Sequence, residues 1–274
     1  MPSSNPAFGR GFANAGNGGQ YPGWGAKPQQ YGAPTQYGAP LQSDPYAAPS
    51  PYAPPTTRYM TMDDVVTKTG ISLLVTVAGA AFAWALPGTT ALALAFPAVL
   101  VAFVLGLVIA FKQIANPAAT LAYGALYGVA LGAISEVFNA QFPGIVTQAL
   151  IGTFGVFAGM LVIYKTGAIR VTPKLTRWIV GAAIGAFVLM LANIVASLFG
   201  VNLGLRDGGG LAIVFSLFVI GIAAFMLLLD FDSADEAIRR GAPAKFAWYI
   251  AFGLLVTIVW LYIEILRLLS YFRE

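Results

Sequence analysis

The sequence contains neither cysteine nor histidine among its 274 residues. This absence excludes disulfides, thiolate nucleophiles, zinc sites built on either residue, and serine–histidine–aspartate triads. No phosphate-binding loop or dinucleotide-binding glycine motif is present either. Proton-linked chemistry must therefore depend on aspartate and glutamate, whose pKa values are about 4 in water and rise on burial.

Charged residues are scarce as well. They make up 9% of the chain, against 58% for hydrophobic residues, whereas a soluble domain has about a quarter of its residues charged. Seven apolar runs have about the 20 residues that a membrane span needs, and inside a bilayer each must be helical to satisfy its backbone. The pattern predicts an all-α, polytopic membrane protein, a bundle of seven transmembrane helices. The predicted spans are residues 69–87, 90–111, 118–138, 144–164, 176–199, 209–230 and 245–270.

Residues 1–58 differ in composition from the rest of the chain. They are rich in proline, glycine, glutamine and alanine, and they repeat the motif Gln-Tyr-Gly-Ala-Pro. Such a segment has too few aliphatic residues to bury a core, so we predict a disordered, solvated tail, with weak binding by its tyrosines as the alternative. The membrane domain is predicted to comprise residues 59–274, and Thr61 followed by Asp64 indicates the start of its first helix.

Basic residues cluster on one side of the predicted topology. With the tail placed in the cytoplasm, twelve of the fifteen basic residues fall on the inner side, and only Arg206, Arg267 and Arg273 fall on the outer side. This asymmetry predicts a multi-pass plasma-membrane protein with a cytoplasmic N-terminus, in contact with the lipid bilayer and not with nucleic acid. Seven full spans place the C-terminus outside, whereas a re-entrant last helix places it inside.

Two stripes of glycine recur at intervals of three or four residues within the predicted spans. Small residues at this spacing allow helices to approach closely, so both stripes are predicted to be packing faces, with pore lining as the alternative. The stripes are Gly124, Gly128 and Gly132 in the third span, and Gly152, Gly155 and Gly159 in the fourth.

Two carboxylates stand out at membrane depth, because Asp230 closes the sixth apolar run and Glu264 lies inside the seventh. A charged side chain near the bilayer centre costs about 2.5–3.5 kcal/mol, so such residues usually serve a function. The alternative for Asp230 is the first solvated residue of a helical extension, 230–240, with ion pairs at helical spacing. The alternative for Glu264 is an ion pair with Arg267 one turn away. The candidate proton or cation site comprises Asp230, Glu264, Glu136 and Asp232.

Several short motifs occur in a characteristic order. They are Ala-Leu-Tyr-Gly-Val-Ala-Leu-Gly-Ala-Ile-Ser at 125–135, Phe-Pro-Gly-Ile-Val-Thr-Gln at 142–148, Leu-Asp-Phe-Asp at 229–232, Gly-Ala-Pro at 241–243 and Trp-Leu-Tyr-Ile-Glu-Ile-Leu-Arg at 260–267. In order and spacing they resemble the Bax inhibitor-1/YccA family of seven-helix membrane proteins, in the branch typical of actinobacteria. The resemblance covers residues 58–274 and leaves the tail out.

The resemblance implies six helices around a central seventh and, as in some bacterial members, a pH-sensitive calcium leak. In those members two aspartates on the last two helices share a proton in the closed state and separate when ionised. Two carboxylates in contact cannot both ionise cheaply, and once ionised they offer oxygen ligands suited to calcium. Calcium is thus expected as a transported ion, and no cofactor or resident metal is expected.

Asp230 matches the first of these aspartates, because its spacing to Gly241 is that of the family. The same spacing places the second acid near residues 255–257, where this chain has none. Helices that fold back around Gly241 set Asp230 opposite about Gly253, and Glu264 lies about 16 Å further along. Glu264 is therefore expected not to replace the missing aspartate in contact with Asp230.

The third span shows a second departure from the family. Tyr127 stands where related sequences carry a glutamate before Gly128, and the nearest acid is Glu136. Glu136 and Glu264 both fall toward the outer side of the predicted topology. A cavity shared by these two acids is a hypothesis that follows from this placement.

Three functional classes were weighed. A cation leak gated by carboxylate protonation is favoured, and the alternative is a scaffold or regulator of other membrane proteins, as some relatives are thought to restrain a membrane-bound protease. An intramembrane enzyme is disfavoured, because a two-aspartate protease needs both acids at one depth. A retinal pigment needs a lysine within the last span, and Lys245 lies only at its mouth. The chain is predicted not to be an enzyme.

Overall fold

A computed structural model describes residues 58–201 and 203–273. In this part of the chain all seven α-helices are long and apolar enough to cross a membrane, which confirms the predicted all-α, polytopic fold. The predicted tail lies, apart from Arg58, outside the described residues. The helices are α1 (Met62–Trp84), α2 (Gly88–Lys112), α3 (Pro117–Gln141), α4 (Ile145–Thr166), α5 (Pro173–Leu198), α6 (Gly210–Arg239) and α7 (Ala247–Tyr271), and a short 3-10 turn (Ala244–Phe246) precedes α7.

Two helices extend well beyond the apolar runs that predicted them. Helix α1 begins at Met62 because Thr61 and Asp64 form a capping box, in which each side chain bonds the other residue's backbone N–H. Helix α6 continues past Asp230 to Arg239. Hydropathy marks the stretch that lipid can contact, whereas a helix ends only where its backbone or cap ends it, so the apolar runs underestimate both helices.

Helix α7 forms the centre of the bundle. Its side chains Leu255, Leu261 and Leu266 are almost completely buried. Helices α1, α3, α4 and α6 pack directly against it, while α2 packs mainly on α3 and α5 on α6. The central seventh helix implied by the family resemblance is therefore observed, with two of the other six helices in an outer position.

Helices α1 and α3 make the closest contact in the bundle, and glycine is what permits it. A Cβ atom on Gly128 would overlap the carbonyl oxygen of Thr76, and one on Gly132 would overlap that of Ala80. The first glycine stripe is thus a packing face, as predicted. The prediction is wrong for Gly155 and Gly159 of the second stripe, because the space beside both α-carbons is open and both residues are exposed.

The segment that joins the tail to α1 is attached to the loop between α6 and α7. The Met60 N–H donates to the Ala242 carbonyl at 2.8 Å, and the Ala244 N–H donates to the Arg58 carbonyl at 2.8 Å. Lys68 on α1 adds a hydrogen bond from its ammonium group to the Ala244 carbonyl. Residues 58–60 are therefore fixed against the loop that precedes α7.

The bundle has two ends, the tail side and the far side. The tail side holds Arg58, the start of α1 and the α6–α7 loop, and the far side holds the α3–α4 loop and the end of α7. Arg273 follows α7 and donates to the Pro143 carbonyl at 2.9 Å and to Gln148 at 2.8 Å. Because α7 is unbroken, the re-entrant alternative does not hold, and residue 273 lies on the side opposite Arg58.

Candidate functional site

Asp230 of α6 lies against α7 through a direct hydrogen bond. Gly241 adopts a left-handed conformation, φ 68°, which ends α6 and allows the chain to turn back along it. The Thr257 hydroxyl then lies 2.6 Å from Oδ2 of Asp230. Gly253, one turn earlier on α7, faces the other carboxyl oxygen, and a Cβ atom there would lie 3.7 Å from Oδ1. The predicted alignment of Asp230 with Gly253 is confirmed.

The Thr257 hydroxyl has two acceptors within reach and only one proton to donate. Its oxygen lies 2.6 Å from Asp230 Oδ2 and 3.2 Å from the Gly253 carbonyl oxygen. When Asp230 is ionised, Thr257 donates to the carboxylate. When Asp230 is protonated, the carboxylic acid donates to Thr257, and the hydroxyl proton turns to Gly253. The arrangement therefore accommodates one proton on Asp230 without moving a heavier atom.

Asp232 lies on a different face of α6 from Asp230, because residues two apart on a helix do not face the same way. It lines a groove of about 540 Å³ on the tail side, together with Glu236, Tyr249 and Ile250. Ile250 precedes Gly253 by three residues, which is about one helical turn. The groove thus lies about one turn from the Asp230 carboxyl group.

The tail-side end of α6 is the helical extension that the sequence suggested. Glu236 accepts hydrogen bonds from Arg239 at 2.8 Å and from Arg240 at 2.7 Å, at i+3 and i+4 spacing. Asp235 accepts one from the Tyr164 hydroxyl of α4 at 2.5 Å. These two acids and two bases of the extension contact each other or α4, whereas Asp230 contacts α7.

Glu264 lies near the far side, with 1% of its surface exposed. Its carboxylate accepts hydrogen bonds from Ser216 of α6 at 3.2 Å and from Arg267, one turn along α7, at 3.2 Å. The ion pair considered as the alternative is thus present. Glu264 follows Gly253 by eleven residues, so about 16 Å of helix separates it from the level of Asp230. The structure does not bring the two acids together.

A second guanidinium group shares the surroundings of Glu264. Burial, together with the nearby charge of Arg267, lowers the pKa of Arg206 in the α5–α6 connection, and the charge of Glu264 opposes that effect. Glu264 is therefore the acid that balances Arg267 directly and Arg206 at longer range. This part of the far side is a charged junction between α6 and α7.

Glu136 of α3 is half-buried and faces the start of α2. A Cβ atom on Gly88, the first residue of α2, would lie 3.2 Å from the Glu136 carboxyl oxygen. The free N–H groups at a helix start favour a negative charge nearby. Glu136 thus faces α2 while Glu264 contacts α6, so the shared cavity proposed for them is not what the structure shows.

Tyr127, at the position where related sequences carry a glutamate, belongs to an aromatic cluster. Its ring stacks on Tyr123 at 5.5 Å, and Tyr123 meets Phe252 of α7 edge-on at 4.9 Å. Phe252 directly precedes Gly253. The α3–α7 contact beside Gly253 is therefore apolar in this protein.

Sequence reasoning missed Thr257 and Ser216 as partners of the two acids. Thr257 follows Gly253 by four residues and so shares its helix face, which is the signal that could have found it. The same antiparallel register pairs Ser216 with about Arg267, one turn from Glu264. Counting the hairpin register therefore places both residues near the acids, but it does not show that they bond them.

No group of three or more acidic side chains in the described part of the chain is placed to hold a metal ion. Calcium takes six to eight oxygen ligands. Asp230 and Thr257 supply far fewer, so any ion at this position must complete its shell with water or backbone oxygens.

The fold and these contacts define a multi-pass membrane protein with a carboxyl group held between its last two helices. The family described as Bax inhibitor 1 like matches residues 5–274, and the chain belongs to this family. The match begins at residue 5 and so includes most of residues 1–58, whereas the resemblance of the short motifs covers only residues 58–274. No curated protein matches the chain.

Proposed function

We propose that the protein is a cation leak, with calcium as the ion, and that protonation of Asp230 controls it. The observation that carries the proposal is the placement of Asp230 between α6 and α7, where an uncharged partner, the Thr257 hydroxyl, hydrogen-bonds its carboxyl group. A carboxyl group retained at this depth is costly unless it serves a function. Membership of the Bax inhibitor 1 like family supports the same conclusion.

The control differs from the paired-aspartate mechanism that the resemblance implied. Thr257 carries no charge, so ionising Asp230 creates no repulsion between α6 and α7. Instead, an ionised carboxylate with one hydroxyl donor keeps lone pairs without partners, which is unfavourable away from water. The ionised group therefore draws water or a cation toward the α6–α7 contact, whereas the protonated group is satisfied by Thr257. Rising pH opens the leak.

The groove lined by Asp232 and Glu236 supports access from the tail side. It approaches Asp230 to within about one helical turn, and its lining includes Asp232 besides the Glu236–Arg240 ion pair. The distribution of basic residues supports a cytoplasmic tail side and a location in the plasma membrane. On this proposal the proton that controls the leak comes from the cytoplasm.

Replacing Asp230 with asparagine removes the group that titrates while keeping its size. We expect the calcium flux of Asp230→Asn in proteoliposomes with a trapped calcium-sensitive dye to become independent of pH. Asp63→Asn is the matched control, because Asp63 is an exposed acid in the first turn of α1, outside the groove and the α6–α7 contact, and its flux keeps the wild-type pH dependence. An unchanged pH dependence in Asp230→Asn contradicts the proposal.

The Thr257 hydroxyl stabilises the ionised form of Asp230 by donating to it. Thr257→Val removes that donor, so the midpoint of the flux–pH curve moves upward. Protonated Asp230 also bonds Thr257, so the shift reflects only the excess of the bond to the charged form over the bond to the neutral form, about 1 kcal/mol or somewhat less than one pH unit. Thr257→Ser keeps the hydroxyl and should keep the midpoint. Equal midpoints for the valine and serine variants show that the hydroxyl does not act on the controlling group.

A further inference from the structure

An apolar crevice of about 490 Å³ lies among α1, α3, α4 and α7. Several of the residues that α1 and α4 contribute are exposed, among them Trp84 at 40% and Phe154 at 55%. Those contributed by α3 and α7 are buried, among them Leu131 at 6% and Val259 at 5%. Helices α1 and α4 therefore form the mouth of the crevice, and α3 and α7 form its floor.

The hydroxyl groups that line the crevice are already satisfied within the protein. Thr76 donates to a carbonyl of α1 at 2.9 Å, and Thr153 donates to a carbonyl of α4 at 2.7 Å. Ser135 and Tyr262 hydrogen-bond each other at 2.7 Å on the floor. Among the residues that the structure describes, no charged one lines the crevice. A ligand that needs hydrogen bonds finds few partners here, whereas a hydrocarbon chain finds a matching surface.

The length and depth of the crevice fit one leaflet of a bilayer. On α1 its lining runs from Leu73 to Trp84, a rise of about 16 Å over eleven residues. This is about half of the 30 Å hydrocarbon core. Trp84 is the last residue of α1, and tryptophan is enriched at the level of the lipid headgroups. The crevice thus begins at the far-side interface and ends near the bilayer centre.

We propose that this crevice binds one acyl chain of a lipid from the far-side leaflet. The chain enters beside Trp84 and runs toward Leu73, covering the buried floor residues Ile258 and Val259 of α7. The headgroup stays at the interface beyond Trp84. This binding site depends only on the shape and apolarity of the crevice, so it is independent of the proposed cation leak.

Quenching of tryptophan fluorescence by brominated phosphatidylcholine tests the proposal. In the full-length chain, every tryptophan except Trp84 is changed to phenylalanine, and brominated lipid is titrated into detergent-solubilised protein. The control protein carries Trp84→Phe and Leu189→Trp, which puts the reporter on the exposed surface of α5, where Leu189 is 47% exposed. We expect half-maximal quenching of Trp84 at a lipid fraction at least tenfold lower than that of the control reporter.

Filling the crevice distinguishes a bound chain from general lipid contact. Ala80→Phe, added to the protein with Trp84 alone, places a ring in the crevice and should move its quenching curve to that of the α5 reporter. Val146→Phe on α4 is a second filling substitution, used if the first does not yield a monodisperse protein. Coinciding curves for Trp84 and the α5 reporter overturn the proposal, and so does quenching of Trp84 that the filling substitution leaves unchanged.

Discussion

Replacing Gly128 with alanine is expected to lower the thermal unfolding midpoint by about 6–12 °C. The added methyl group would overlap the carbonyl oxygen of Thr76, which is backbone and cannot rotate away. Helix α1 must therefore move off α3 along their shared contact. Overpacking of this kind costs about 3 kcal/mol at the upper end of its usual range, and each kcal/mol lowers the midpoint by about 2–4 °C at this chain length.

The same substitution at Gly159 is the matched control. Gly159 lies in a stripe of similar spacing, but the space beside its α-carbon is open. Alanine is favoured over glycine within a helix by about 1 kcal/mol, so Gly159→Ala should leave the midpoint unchanged or raise it slightly. Both variants are compared with the wild type by thermal unfolding in detergent. Similar midpoints for the two variants contradict the close α1–α3 contact.

Replacing Glu264 with glutamine is expected to destabilise the protein by about 3 kcal/mol. The substitution removes the charge that balances Arg267 and leaves that guanidinium group partly buried without an acid. Breaking a buried ion pair from one side costs about 3–5 kcal/mol. The lower value applies here because the Arg267 side chain is 21% exposed. Nearby Arg206 increases the effect, since the substitution also removes the favourable interaction between its charge and Glu264.

Glu236 provides a control with the same chemistry and spacing. It pairs with Arg239 at i+3, as Glu264 pairs with Arg267, but the two side chains are 41% and 63% exposed. An exposed pair contributes about 0–1 kcal/mol, so Glu236→Gln should have little effect on the unfolding midpoint. In the Glu264→Gln background, Arg267→Met should restore part of the lost stability. If Glu264→Gln and Glu236→Gln lower the unfolding midpoint equally, burial does not determine the strength of the Glu264–Arg267 ion pair.

Most of the fold could be predicted from the sequence because few backbone structures can span a bilayer. Each apolar run must be helical, and its length decides whether it spans. The predicted helix ends are wrong where polar residues continue a helix, as between Asp230 and Arg239 in α6. Polar side chains do not interrupt backbone hydrogen bonds, so hydropathy has no information about these ends.

The alignment of Asp230 with Gly253 followed from counting residues on a hairpin, because helix rise is constant. Side-chain partners required more than counting. Whether Asp230 bonds Thr257 depends on rotamers and on the small gap beside Gly253. Likewise, Gly128 and Gly159 lie in stripes of similar spacing, yet only Gly128 contacts another helix. Spacing tells which residues share a face, and the arrangement of the other helices decides which face is covered.

The threonine opposite Asp230 has a consequence for the shape of the proposed pH response. A lone carboxyl group binds one proton, so its occupancy follows a simple non-cooperative titration curve. Two carboxyl groups in contact titrate in two linked steps instead, with separated midpoints. On the proposed mechanism the flux therefore follows a single titration step, with a Hill coefficient near unity, over a narrower interval of pH than a coupled pair of carboxyl groups would give.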